Sequence, residues 1–189
     1  MSALGRALLL AVTLVSALPS LGCGGARADL GPDAPRWEGA LAQAFPDDIE
    51  PGALGLPSSA PSPAIDRALR ERTLRAEVIA RVRVQTVSVE RRSNGDPVFR
   101  IGLQLANPRL IDRAVLDERI EVVIVPGGAA HGLARAWDVR LQGKTFLGFF
   151  RRFAGEEGET VVHFHLARDG EDVGAAVQQV IALEEVQGS

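Results

Sequence analysis

Two histidines, His163 and His165, stand two residues apart in the run ETVVHFHLA. On an extended strand they share one face, with Val162, Phe164 and Leu166 on the other. Two imidazoles so placed begin a metal site or offer a general base. A metal site needs a third or fourth ligand, and His131, the remaining histidine, opens a different element. No metal is expected, and the pair reads as two outward, half-exposed side chains. The run FLGFFRRF holds four of the seven phenylalanines. Phe149, Arg151, Arg152 and Phe153 would form a surface for acyl chains or a partner, with the arginines on phosphate or carboxylate groups. The competing reading is core packing on both faces, with the arginines in solvent at the hairpin end.

A third candidate is Cys23, the single cysteine. With no second thiol it has no intramolecular disulfide partner. Its glycine-rich surroundings lack the electropositive pocket that activates a catalytic thiol. It follows Ala7–Leu18, an apolar run too short to span a bilayer, which needs about 20 residues. A basic start at Arg6, this run and the small residues after it form a secretory signal. The stretch SLGC resembles the lipobox of bacterial lipoproteins, with Gly22 before the cysteine. Ser20 and Leu21 depart from the family's usual leucine and small residue. The resemblance implies a diacylglyceryl group on the Cys23 sulfur and cleavage just before it. Gly24, where enteric lipoproteins retained in the inner membrane carry aspartate, points to the outer membrane, facing the periplasm. The alternative is cleavage after Ala28 in ARAD, which fits an A-x-A site and would release a soluble protein.

Other chemistry is thinly signposted. RDGED lacks the regular acidic ladder of a calcium loop, and no phosphate-binding glycine loop, nucleophile elbow or zinc-spaced cysteine set occurs. No cofactor is expected. A net charge of −3 gives no whole-molecule attraction for nucleic acid.

Three segments position these residues: a signal at 1–22, a Pro/Gly-rich, mostly disordered tether at 23–63, and one globular domain at 64–189. Within the tether, Trp37, Leu41 and Phe45 recur every fourth residue, so a short helix could lie on the domain. Ser62 and Pro63 suit the start of a helix. Alternation then predicts a strand from Val78 whose phase flips near Gln85 or Thr86, as a bulge would require. SNGD reads as a hairpin turn, leading to a strand through Phe99, Ile101, Leu103 and Leu105. RIEVVIV is a third strand. Leu133, Trp137 and Leu141 predict a helix closed by Gly143, and AGEEGE a second hairpin turn. After Asp172 comes a helix whose tail, from Ile181, could equally be a strand.

The pattern implies an α+β fold, an antiparallel sheet of about five strands with helices on one face. An all-β sandwich is the alternative. The expected function is a membrane-anchored envelope lipoprotein with a non-catalytic binding or structural domain for a protein or envelope component. Two other readings compete, a small lipid- or ligand-binding domain built on the Phe-rich hairpin and an enzyme with His163 or His165 as general base.

Overall fold

A computed structural model describes residues 35–58, 61–91 and 95–187. Its elements in chain order are α1 (Gly39–Ala44), β1 (Asp48–Ile49), α2 (Arg67–Arg75), β2 (Val78–Arg91), β3 (Pro97–Leu105), β4 (Ile111–Asp112), β5 (Arg119–Ile124), α3 (His131–Leu141), β6 (Thr145–Ala154), β7 (Thr160–Arg168) and α4 (Glu171–Gln187). The class is α+β. The strands form one sheet in the order β1-β7-β6-β2-β3-β5, with β4 also on β2, and the sheet curls into a half-barrel. It therefore has seven strands rather than about five. It is also mixed, because β1 runs parallel to β7 while the other strand pairs are antiparallel.

The phase flip in β2 is a bulge: Val84 pairs with Leu103 and Thr86 with Gly102, leaving Gln85 extra. The bulge explains Gly102, because a Cβ there would sit 2.4 Å from the Thr86 hydroxyl oxygen. The helix ending near Gly143 forms as α3, and Gly143 takes a left-handed φ of 80°. With 131–141 helical, the all-β alternative falls. α4 stays helical through Gln187, so its tail is no strand.

Helices cover both faces of the sheet, contrary to the one-sided expectation. On one face, Val78, Ala80 and Val82 of β2 join Phe146 and Phe150 of β6 and Phe164 of β7, under Ala134 and Leu141 of α3. On the other, Ile79, Phe149, Phe153 and Ala167 meet Phe45, Leu69 of α2, and Val173 and Val177 of α4. Strands buried on both faces read as near-continuous apolar runs. FLGFF is such a run, not a surface patch.

Two boundaries also move. Ser62 and Pro63 start only a 3-10 turn, Pro63–Ile65, and α2 begins afresh at Asp66, whose side chain accepts from the Ala68 amide at 2.8 Å. Residues 35–58, read as part of a disordered tether, belong to the fold. Phe45, Ile49 and Leu54 from this stretch are buried, and burying such a side chain stabilises by about 1.5–3 kcal/mol. Among the described residues no helix is long and apolar enough to cross a membrane.

Candidate functional site

The site forms where this early segment is laid along β7. The parallel register sets Asp48 beside His165, so their side chains emerge on the same face and Asp48 bonds His165 Nδ1. One residue earlier, Asp47 adopts φ 54°, the left-handed region that Asp tolerates better than most residues. In that conformation its carboxylate reaches both the Phe164 amide at 3.0 Å and His163 Nδ1 at 2.7 Å. Consecutive carboxylates thus orient alternate histidines of one strand.

The two imidazoles differ in surroundings. His163 stacks on Trp37, with centroids 4.0 Å apart and planes within 5°, and meets the Phe153 ring edge-on at 5.2 Å. The Trp37 indole N–H donates to the Phe45 carbonyl at 2.8 Å, which fixes the stack. His163 lines a cleft of about 920 Å³ with Trp37, Glu38 and the turn residues Glu156, Glu157 and Glu159. His165 is deeper, 7% exposed, with Phe149 5.9 Å away. Burial holds its pKa below the ordinary histidine value; the Asp48 bond opposes that shift and the Arg72 charge reinforces it. The ring is therefore neutral near pH 7. A carboxylate only accepts, so the proton sits on Nδ1 and Nε2 keeps its lone pair.

Arg72 reaches the same place from the second turn of α2. It is 8% exposed, donates from Nε to the Ala44 carbonyl at 2.7 Å, and lies 5.9 Å over the Phe149 ring. Burial lowers its pKa, offset by Asp48, Asp66 and Glu50, and it stays a cation because a guanidinium is not deprotonated in proteins. Arg72 and His165 line a cleft of about 430 Å³ with Glu50, Ser58, Asp66 and Arg168. Arg168 is occupied by Asp172 at 2.5 Å, and its amide donates to Glu50 at 3.1 Å. Among the described residues no three His, Cys, Asp or Glu side chains gather as metal ligands do.

The residues singled out from sequence fall elsewhere than expected. Phe149 and Phe153 are 0% exposed in the core against α1, α2 and α4, so they form no docking surface. Arg151 donates from Nη1 to the Arg75 carbonyl, and its guanidinium lies 6.0 Å from the Phe153 ring centroid. Arg152 pairs with Glu77 at 2.9 Å. Both arginines tie the hairpin to the end of α2 rather than pointing into solvent. Phe146 and Phe150 are equally buried, packed in the core on the α3 side of the sheet. The histidines are not outward either, since each is turned onto an aspartate. Cys23 lies outside the described residues. Asp47, Asp48 and Arg72 carry no motif that marks them in the sequence. The clue was PDD, paired carboxylates just after Pro46, but nothing local links it to HFH more than a hundred residues later.

Fold and site together define an α+β domain with a cleft, lined by both charged and apolar side chains, where its N-terminal segment meets α2, β7 and α4. The chain matches no protein-family model, no curated protein and no solved structure.

Proposed function

We propose that the chain is an exported envelope lipoprotein, tethered through an acylated Cys23, whose domain is a non-catalytic binding module for a small polar envelope component. Support for the anchor is the SLGC stretch after the apolar run Ala7–Leu18. The binding role rests on one observation: Arg72 and His165, each more than nine-tenths buried, line one cleft with hydrogen-bonding capacity left over. Arg72 uses only Nε on the protein and His165 only Nδ1, among the described residues. Among the described residues neither side chain has a fully buried, unpartnered nitrogen, so a ligand would take the place of water on them, with hydrogen bonds in a largely desolvated cleft. The volume lies at the lower end of the roughly 300–1,000 Å³ usual for small-molecule sites.

Two measurements on the native mature protein test this. Intact mass under denaturing conditions should show a diacylglyceryl adduct on a chain beginning at Cys23. An unmodified chain beginning at Asp29 overturns the anchor in favour of a soluble secreted protein. Amide chemical-shift mapping against a low-molecular-mass periplasmic extract should move Ala68, Leu69 and Val173, which line the cleft. Shifts confined to other regions, or none, overturn the binding role. Turnover of extract components that His165→Gln abolishes would replace it with catalysis.

A further inference from the structure

Resting on the binding role of the Arg72–His165 cleft, we infer that its ligand is a zwitterion with an ammonium and a carboxylate, of the size of an amino acid or dipeptide.

The cleft has two poles. The Arg168 charge is balanced by Asp172 at the exposed rim, which leaves Arg72 as the buried cation of the cleft. Its planar guanidinium is suited to a carboxylate, which it can hold through two parallel bonds. The acceptors stand around it. Among the described residues Glu50 gives one oxygen to the Arg168 amide and Asp66 one to the Ala68 amide, and a carboxylate has lone pairs for further bonds. His165 adds the Nε2 lone pair, and its neutrality adds no charge that would repel an ammonium. Glu50, Asp66 and His165 thus give the cleft acceptors for a primary ammonium group, which has three N–H bonds to place.

Charge excludes the simpler ligands. A plain anion drawn to Arg72 meets Glu50 and Asp66, while Asp48 lies behind His165. A plain cation drawn to the carboxylates meets Arg72. A molecule whose opposite charges are separated by a few bonds satisfies both poles, and mismatch at either end rejects the competitor.

The probes are L-alanyl-L-alanine, its N-acetyl form and its C-terminal amide, titrated into the mature protein while the cleft amides are followed. The free dipeptide should give saturable shifts at Ala68, Leu69 and Val173, and each blocked form should bind at least about tenfold more weakly. Glu50→Gln keeps an oxygen for the Arg168 amide. It should weaken the free dipeptide, which loses a partner for its ammonium, and strengthen the N-acetyl form, a plain anion that the Glu50 charge otherwise repels. Blocked forms binding as tightly as the free dipeptide overturn the inference. Cleft shifts with the periplasmic extract but none with the dipeptide overturn the zwitterion and leave the binding role standing. Silence with both overturns both.

Discussion

Asp48 and His165, 117 residues apart in the chain, are hydrogen-bonded neighbours across the parallel β1–β7 edge. The bond holds the N-terminal segment against the last strand and fixes the imidazole tautomer in the cleft. It also makes stability depend on pH. Burial depresses the folded pKa of His165, whereas the unfolded chain titrates near the ordinary value of about 6.5. Below that value the unfolded state binds the extra proton first, so stability is full above it and declines as pH falls toward the folded pKa. The slope from one such group reaches about 1.4 kcal/mol per pH unit. Urea unfolding between about pH 7 and about pH 5.5 should show this loss, and His165→Gln should flatten it. An unchanged slope in the variant would remove His165 as the cause.

Asp47 gives a contrast between backbone ease and side-chain bonding. At φ 54° a glycine would be more comfortable. The carboxylate, however, makes two bonds, to the Phe164 amide and to His163. Asp47→Gly should therefore destabilise by about 1–2 kcal/mol despite the relief, since each lost bond costs roughly 0.5–1.5 kcal/mol or more. Asp47→Asn, which keeps an acceptor oxygen and tolerates this conformation, should fall between. Denaturation midpoints in any other order would show that conformational strain dominates.

Much of the frame was legible because it is local. The bulge at Gln85, the strand from Phe99, the helix closed at Gly143 and the FLGFFRRF hairpin all follow from alternation, four-residue spacing and turn glycines. The site was not legible, because it depends on pairing across the sheet. HFH showed two ring nitrogens on one strand face, but whether that face met solvent depended on what packed against it. The covering segment, residues 35–58, has a proline- and glycine-rich composition that resembles coil. Its contribution is two carboxylates, a tryptophan and a few buried side chains rather than a periodic stripe. Arg72 looked like any basic residue of a surface helix, since burial of a single guanidinium has no signature in spacing.

Phe149 separates the core from the surface reading of FLGFFRRF. Its ring is 0% exposed and faces Ile79, Leu69 and Arg72's guanidinium. Phe149→Ala should cost about 3–5 kcal/mol, the range for emptying a packed aromatic site. Val139→Ala, at a position 84% exposed, should stay within about 0.5 kcal/mol. Chemical denaturation of both variants checks the difference. A Phe149→Ala protein as stable as the parent would return that residue to the surface.

Arg72 is where the cleft's electrostatics can be read on a neighbouring group. Its positive charge lowers the His165 pKa, because an imidazolium beside a guanidinium is disfavoured. Arg72→Met keeps the apolar stem over Phe149 and removes the charge. His165 should then titrate at a higher pH, followed through its ring C–H resonances, since burial still lowers its pKa but the guanidinium no longer adds to that shift. Arg72→Lys should leave the titration close to that of the parent, which separates lost charge from lost packing. The stability window of His165 narrows in step: with its folded pKa closer to the unfolded one, Arg72→Met should show a smaller loss of stability on acidification than the parent. A His165 titration that stays put or moves down in Arg72→Met would mean that burial alone sets it, and Arg72 would lose its place as the cation of the cleft.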